Sequence, residues 1–280
     1  MKALVYRMAG LGDSILVYPL LEILVKKGYE VTVWGNTEYF NLAKEAGFCK
    51  KTIFYEPKEK FDLNIIFSQN RDILHSNNSI YINPIPGEQL WIVDYYLKKL
   101  GFQNETFSKV LTLPFSEIKH DNFCIIHPGS GSKKKNPDLI FFYKLEKILK
   151  DYGFETLYLL GPAESELVKN FKNSVYAEHP VEIAKILLKA DFYIGLDSGV
   201  SHLSSYLGVP SIVIFGPTDP EVWHPIGANL TVIRYESCKP CFPDVCKERK
   251  CLETEFLISE LCKYIKKLEI SKTQIMSMKN

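Results

Sequence analysis

The chain has 280 residues, of which 46% are hydrophobic and 24% charged, a balance typical of a soluble globular protein whose core needs no disulfide bonds. The 34 lysines and arginines nearly cancel the 33 aspartates and glutamates, giving a formal net charge of +1. That balance excludes binding to nucleic acid through bulk charge alone. No stretch approaches the ~20 apolar residues of a membrane-spanning helix. The length is about twice that of a usual domain, so two domains are expected.

The amino-terminal segment and the cysteines indicate the cellular compartment. A signal peptide needs an apolar region and a cleavage site, and the glycine-rich sequence that begins at Gly10 comes too early for either. Seven cysteines, an odd number, are expected to stay as reduced thiols in a chain without an export signal. The sequence therefore predicts a cytoplasmic protein.

The first half of the chain alternates short β-rich runs with amphipathic helical patterns, as in a parallel sheet covered by helices. Strands are predicted over residues 2–7, 30–34, 52–55 and 63–67. Helices are predicted from the glycine turn to residue 27, over 38–46, and up to residue 101, with Gly28 ending the first of them. The polar segment 71–89 contains Pro84 and Pro86 and receives no assignment.

The second half of the chain repeats this alternation. Strands are predicted over residues 122–126, 155–160, 192–195 and 209–215, and helices over 139–152, 181–189 and 200–207. Two such series predict two doubly wound, Rossmann-like α/β domains that face a central cleft. We place the first domain at residues 1–118, the second at 119–270, and a tail at 271–280.

The sequence Gly10-Leu11-Gly12-Asp13-Ser14 follows the first predicted strand and opens a helix. Ligands bind at the carboxyl ends of the strands in open α/β sheets, so this loop is expected to face the cleft. The dinucleotide fingerprint requires a third glycine where Ile15 stands, which disfavours NAD. Two interpretations of the polar residues remain: Asp13 or Ser14 caps the helix, or Asp13 is a general base at the cleft.

Two further loops have the composition of anion sites. The loop 127–137, HPGSGSKKKNP, offers small residues, hydroxyl groups and three lysines, which either bind a phosphate or simply point into water. The turn 194–202, IGLDSGVSH, leads into a helix amino-terminus, whose free N–H groups and dipole attract anions. Core packing does not require Asp, Ser, Gly and His in that order, so the second loop is interpreted as functional.

Four cysteines form a cluster near the carboxyl end of the chain. Cys238, Cys241, Cys246 and Cys251 are separated by two, four and four residues, and four thiolates are a recognised zinc ligand set. Only one Cys-x-x-Cys pair is present, so a structural zinc site, free thiols and a labile disulfide all stay open. Nothing in the pattern indicates a catalytic role.

Four segments of the chain occur in the same order as the sequence motifs of one enzyme family. The first is GLGDSILVYPLLEIL, followed by IIHPGSGSKKKNPDLIFFYKL, LLGPAE and ADFYIGLDSGVSHLSSYLGVPSIVIFGPTDPEVWHPIG. The chain resembles the ADP-heptose:lipopolysaccharide heptosyltransferases, inverting glycosyltransferases with the two-domain GT-B fold, most strongly over residues 125–227. Many members of that family also carry a similar carboxyl-terminal cysteine set.

The resemblance implies a reaction and roles for individual residues. A hydroxyl of the acceptor attacks the anomeric carbon of the donor and displaces ADP with inversion; Asp13 accepts the hydroxyl proton. Lys134, counted back from Pro137, neutralises the leaving diphosphate, and Glu164 holds the adenosine ribose. The donor-binding residues implied in this way are Gly12, Gly129, Ser130, Glu164, Asp197, Ser198, Gly199, Val200 and His202. Lysine and backbone dipoles stabilise the diphosphate, so no metal or other cofactor is required.

The resemblance also implies partners and a place in the cell. The donor is a nucleotide sugar, ADP-heptose, and the acceptor is a lipopolysaccharide core or a related surface glycan or glycolipid. These substrates imply a cytoplasmic enzyme that contacts the cytoplasmic face of the inner membrane. They imply no nucleic-acid partner. Asn136 stands where the family usually has tryptophan. Three alternatives remain: a same-fold transferase for a different nucleotide sugar, a non-catalytic nucleotide-sugar-binding module, and a zinc-dependent interaction protein.

Overall fold

A computed structural model describes residues 1–74, 76–115, 123–242, 244 and 247–278, and of residues 267–278 only the backbone. Two separate parallel sheets form the frame of the described chain. The first sheet contains β1 (Lys2–Arg7), β2 (Glu30–Gly35), β3 (Lys51–Ile53), β4 (Leu63–Phe67) and β5 (Ser79–Ile82). The second contains β6 (Phe123–His127), β7 (Glu155–Leu160), β8 (Ser174–Tyr176), β9 (Phe192–Leu196), β10 (Ser211–Phe215) and β11 (Leu230–Arg234).

The first sheet has the strand order β3-β2-β1-β4-β5, which places β1 at its centre. Ala3, Leu4 and Val5 have no exposed surface, as expected for a strand that is covered on both faces. The connecting helices are α1 (Leu11–Ile15), α2 (Tyr18–Lys26), α3 (Thr37–Glu45) and α4 (Ile92–Lys99). Gly28 follows α2 with a φ of +83°, a left-handed conformation that glycine adopts without strain.

The second sheet has the strand order β11-β10-β9-β6-β7-β8. Its helices are α5 (Leu139–Asp151), α6 (Pro180–Leu187), α7 (Gly199–Tyr206), α8 (Pro220–Trp223) and α9 (Thr254–Met278). Short 3₁₀ segments occupy Lys133–Lys135, Pro162–Asn170 and Lys250–Leu252. Within the described ranges, none of the helices combines the length and the apolar composition that crossing a membrane requires.

The predicted alternation of strands and helices is confirmed, and so is the fold of two Rossmann-like domains. Strands β5, β8 and β11, which have three to five residues each, were not predicted from the sequence, and neither were α8 and α9. The backbone of α9 continues through residue 278, into the segment for which a tail is predicted. The predicted boundary at residues 118 and 119, like the predicted strand start at residue 122, lies outside the described residues.

One hydrophobic core joins the two halves of the chain. It includes Ile15 and Tyr18 from the first half together with Leu203, Tyr206 and others from the second, and the rings of Tyr18 and Tyr206 lie 6.4 Å apart. A second cluster fills the far face of the second sheet beneath α5 and α9. The shared core brings α1 against α7, so the carboxyl ends of both sheets open onto the same cleft.

Candidate active site

A cavity of about 780 Å³ lies in the cleft, lined by residues from both halves of the chain. Its volume is in the range of small-molecule and cofactor sites. Most of the predicted site residues line it together: Gly12, Asp13, Ser130, Glu164, Asp197, Ser198, Gly199, Val200 and His202. Gly129 and Lys134 are not among the lining residues, whereas Lys135 is.

Asp13 projects from α1 as its third residue and is half-buried. The residue before the helix is Gly10, and no side chain caps this helix end, so the interpretation of Asp13 or Ser14 as an N-cap is wrong. The Ser14 hydroxyl instead donates to the Gly10 carbonyl at 2.9 Å. The carboxylate of Asp13 accepts a hydrogen bond from Nη2 of Arg7 at 2.8 Å. Asp13 is therefore a carboxylate at the cavity wall that pairs with Arg7 and does not cap α1.

The amino-terminus of α7 is held by a buried network of hydroxyl groups. Ser198 is the N-cap, and its Oγ accepts from the backbone N–H of Ser201 at 3.3 Å. The Ser201 and Tyr193 hydroxyl groups lie 2.8 Å apart, and Ser201 also donates to the carbonyl of Leu196. Helix geometry leaves the first N–H groups of α7 without intrahelical acceptors. These donors stand at the cavity wall, as an anion site requires.

Gly12 and Gly199 make the contact between α1 and α7 tight. A Cβ atom on Gly12 would lie 2.9 Å from Cδ2 of His202, and one on Gly199 would lie 2.8 Å from Cβ of Leu11 and 3.0 Å from the Gly12 nitrogen. Real Cβ atoms essentially never come closer than 3.0 Å to other atoms, so a side chain at either position would force the two helices to shift. Both glycines were predicted as donor-binding residues, and the structure gives each of them a packing reason as well.

The loop after β6 is braced from two sides. A Cβ on Gly129 would overlap the carboxylate of Glu164, with 1.8 Å to Oε1, so this glycine makes room for Glu164. The Ser130 hydroxyl donates to Oδ1 of Asn136 at 2.6 Å, and Nη2 of Arg249 donates to the Asn136 carbonyl. Asn136 thus holds the loop through hydrogen bonds at the position where the resembled family has tryptophan.

Lys135 is the lysine of the 3₁₀ turn that lines the cavity. Its Nζ lies 2.9 Å from Oδ2 of Asp197, and these two side chains are only 15% and 9% exposed. The ring centroid of Phe242 is 5.4 Å from the same Nζ. Lys134, in contrast, is exposed. The lysine assigned by counting back from Pro137 and the lysine found in the cavity are therefore neighbours, one residue apart.

Glu164 and His127 form a buried pair at the other end of the cavity. Oε2 of Glu164 accepts from the Gly161 N–H at 3.0 Å, and Nδ1 of His127 lies 2.8 Å from the Leu159 carbonyl. A carbonyl can only accept, so Nδ1 carries the proton and Nε2 presents its lone pair. Nε2 is 4.0 Å from Oε1 of Glu164. Burial lowers the pKa of His127, although the nearby negative charge of Glu164 acts to raise it. Nε2 of His127 and Oε1 of Glu164 are therefore two hydrogen-bond acceptors that face the same part of the cavity.

His202 contributes a neutral imidazole. Burial outweighs the attraction of Asp197 and Asp13 and lowers the pKa of His202 to about 4. Its Nδ1 is buried and has no hydrogen-bond partner among the described residues. A buried polar atom without a partner is unfavourable, so this nitrogen lowers the stability of the folded protein.

The predicted cysteine cluster is only partly described. Cys238 and Cys241 are half-buried thiols and Cys251 is a buried one, whereas Cys246 lies outside the described residues. Among the described residues, no group of three or more metal-ligating side chains is present. The segment still contacts the site, because the N–H groups of Cys241 and Phe242 donate to the Pro217 carbonyl and the Phe242 side chain lines the cavity.

Several residues that the structure brings to this site were not predicted from the sequence. Arg7 is the last residue of the apolar strand β1, and its charge marks the residue without indicating which group it pairs with. His127 and Lys135 lie in the segment 127–137, for which phosphate binding was one of two interpretations, and no role was assigned to either. Phe242 and Trp223, both at the cavity wall, lie in segments for which no element was predicted.

Comparisons with known proteins identify similar glycosyltransferases. The profile of glycosyltransferase family 9 (heptosyltransferase) matches residues 90–252. Lipooligosaccharide heptosyltransferase 2 of Campylobacter jejuni strain 81116 is 23% identical over an alignment that covers 94% of this chain and 99% of that protein. Lipopolysaccharide heptosyltransferase 1 of Escherichia coli K12 is 40% identical over 52 residues, which span 19% of this chain and only 16% of that protein.

A solved structure with a similar fold is E. coli heptosyltransferase WaaC with ADP-2-deoxy-2-fluoro heptose. It superposes with a TM-score of 0.67 at 17% identity, and the alignment covers 94% of this chain and 100% of that one. This likeness confirms the GT-B fold that the resemblance implied. The family profile covers more than half of the chain. The chain therefore belongs to glycosyltransferase family 9, the heptosyltransferase family.

Proposed function

We propose that this protein is an inverting glycosyltransferase that moves a heptose from ADP-heptose to a lipopolysaccharide core or related surface-glycan acceptor. The observation that carries the proposal is the composition of the cavity wall. One half of the chain supplies a carboxylate, Asp13, and the other supplies Lys135 and the amino-terminus of α7. This combination suits proton removal on one side of a reacting centre and stabilisation of a leaving anion on the other.

The donor would lie along the C-terminal side of the cavity. A ribose diol offers two O–H donors, and Nε2 of His127 and Oε1 of Glu164 are two buried acceptors that it would satisfy. Near them the wall is apolar, with Ala177, Pro180 and Ile183, which suits a nucleobase. The similar structure of WaaC holds ADP-2-deoxy-2-fluoro heptose, which supports an ADP-sugar as the donor.

The reaction we propose is a direct displacement. The acceptor hydroxyl oxygen forms a bond to the anomeric carbon while the bond from that carbon to the diphosphate oxygen breaks, and the electron pair leaves with ADP. Attack from the face opposite the leaving group inverts the configuration. The hydroxyl proton passes to Asp13, and the N–H groups of α7 stabilise the charge that grows on the diphosphate.

We assign the charge-neutralising role to Lys135 in place of Lys134. The Asp197 carboxylate holds Nζ of Lys135 at the cavity wall, and a diphosphate would compete for the same ammonium group. Lysine charge and helix dipoles together are sufficient for this leaving group without a metal ion. We therefore propose that turnover continues in EDTA.

The N-terminal domain, residues 1–118, would bind the acceptor, and the domain at residues 119–270 would bind the donor. A glycolipid acceptor would place the enzyme in the cytoplasm, at the inner face of the inner membrane. A non-catalytic binding module would need no carboxylate at the cavity, and Asp13 favours the enzyme over that alternative. A transferase for a different nucleotide sugar stays the second candidate.

Thermal unfolding with different nucleotides tests the donor class. A ligand at about 100 times its dissociation constant stabilises the folded state by about 2.7 kcal/mol, so ADP and ADP-heptose should raise Tm clearly, whereas UDP, GDP and NAD should not. A transfer assay with ADP-heptose and a defined glycolipid, in the presence of EDTA, then tests the reaction. Selective stabilisation by UDP, or turnover that requires added Mg²⁺ or Mn²⁺, would contradict the proposal.

A further inference from the structure

Arg7 is a buried cation at the carboxyl end of the central strand β1. Its side chain is 7% exposed, and its position in the sheet is opposite Gly35 of β2. A Cβ on Gly35 would lie 2.2 Å from the Arg7 carbonyl oxygen, so the backbones are closely packed here. Burying a charge in such a place is unfavourable unless the charge is paired.

The carboxylate that pairs with Arg7 is the one at the cavity wall. Nη2 of Arg7 donates to Oδ1 of Asp13 at 2.8 Å, and the Asp13 side chain is 42% exposed. No hydrogen bond to Oδ2 of Asp13 is present among the described residues. Arg7 itself does not line the cavity, so it reaches the site only through Asp13.

We propose that Arg7 is a positioning residue for the Asp13 carboxylate. This inference rests on the proposed function, in which Asp13 accepts the proton of the acceptor hydroxyl. A charge-assisted hydrogen bond fixes one carboxylate oxygen and leaves Oδ2 as the oxygen that receives the proton. Without the guanidinium, the short side chain of Asp13 samples other staggered rotamers, and the oxygen moves away from the reacting hydroxyl.

Several features make the pair suitable for this role. The strand fixes Arg7 because β1 is hydrogen-bonded on both sides, to β2 and β4. The helix that bears Asp13 has only five residues and packs on α7. A rigid strand therefore aligns a carboxylate on a short helix, and a displacement of about 1 Å at a reacting group lowers a rate by up to ~10²-fold.

The test is a kinetic double-mutant cycle with Arg7→Met, Asp13→Asn and the double variant. We expect Arg7→Met to lower kcat by ~10- to 10²-fold, with KM for the donor and ADP binding unchanged. In the Asp13→Asn background the same substitution should produce no further loss of kcat, because the positioned group is gone. Arg7→Lys, which restores a cation, should recover part of the lost kcat.

Controls separate positioning from folding. Lys2→Met removes a cation at the other end of the same strand, where Nζ of Lys2 pairs with Glu59 at 2.9 Å, and should leave kcat unchanged. If Arg7→Met fails to fold, Arg7→Gln takes its place, and ADP-induced stabilisation shows that the variant is native.

Two results would overturn the inference while the proposed function stands: wild-type kcat in a neutral Arg7 variant when Asp13→Asn is inactive, or equal losses in both backgrounds. Full activity of Asp13→Asn would instead remove the base from the proposed function.

Discussion

The two sides of the cavity are built differently. The C-terminal side contains polar groups that are almost completely buried and held by hydrogen bonds, including Ser198, Ser201, Glu164 and His127, each at most 7% exposed. The N-terminal side presents Asp13, a half-buried residue, and Ile85, which is 60% exposed. One side is fixed before any ligand binds, and the other is open.

The contrast indicates how the work is divided between the halves. Fixed dipoles stabilise a developing charge without reorganisation during the reaction, so a rigid side would suit the diphosphate of the proposed donor. An open wall accommodates more variation in the shape of the molecule that binds against it. The proposed glycan acceptor would be compatible with such a wall, provided that one carboxylate is held in place.

Removing the carboxylate of the open side should have the largest effect. Asp13→Asn is expected to lower kcat by ~10²- to 10⁴-fold, the usual loss for a general base, with ADP binding retained. It also leaves the buried Arg7 with a weaker partner, which costs about 2 kcal/mol and lowers Tm by roughly 4–8 °C. Rapid-quench turnover and calorimetry measure the two losses. Normal turnover would return Asp13 to a purely structural role.

The rigid side should respond to one lysine and not to its neighbour. Lys135→Ala is expected to lower kcat by ~10²-fold or more, as for other groups that stabilise transition-state charge. Donor binding should weaken less, because negative charge on the leaving group grows in the transition state. Lys134→Ala is the matched control and should stay near wild type. The reverse ranking would restore the assignment made by counting from Pro137.

The buried acceptor pair should distinguish ribose from deoxyribose. Removing one O–H donor leaves an acceptor unsatisfied, at about 1–1.5 kcal/mol, so 2′-deoxy-ADP or 3′-deoxy-ADP should bind ~10-fold more weakly than ADP. His127→Phe should weaken ADP binding and narrow that difference. Protonation at a pH well below 6.5 would turn Nε2 into a donor, so ADP affinity should fall on acidification. Calorimetric titration that finds equal affinities for ADP and both deoxy analogues would exclude the diol arrangement.

The contact between the two sides should be sensitive to a single methyl group. Gly199→Ala would push α7 from α1 and is expected to lower Tm by several degrees, a destabilisation of about 1–3 kcal/mol typical of overpacking. Gly131→Ala is the matched control, because nothing lies within 4 Å of its Cβ position. A Gly199→Ala variant with the Tm of the wild type would show that the helices separate easily.

The sequence predicted the frame of the molecule better than its charges. Strand β1 and the glycine turn were evident because a short apolar run indicates a buried strand and closely spaced glycines indicate a turn, whatever the rest of the chain does. The short strand β5 was hidden in a polar segment, where Tyr81 supports it through hydrogen bonds to the carbonyls of Arg71 and Leu74. Such contacts between loops are not encoded in a local pattern.

The site residues show the same limit. Counting from Pro137 selects Lys134, but successive residues of a 3₁₀ helix are rotated by about 120°, so only one of three consecutive lysines faces a given wall. Which one does so depends on how the loop is braced, here through Ser130, Asn136 and Arg249. Arg7 was invisible for a related reason, since only the packed structure shows which carboxylate compensates its charge.

The shared core has a consequence for the synthesis of the protein. Ile15 and Tyr18 leave the ribosome long before Leu203 and Tyr206, which complete their packing. At elongation rates of about 5–20 residues per second, the 185 residues from Tyr18 to Leu203 take roughly 9–37 s to synthesise. Until α7 has emerged, Ile15 and Tyr18 lack the apolar partners that cover them in the folded protein, so we expect the nascent chain to be most prone to aggregation during that interval.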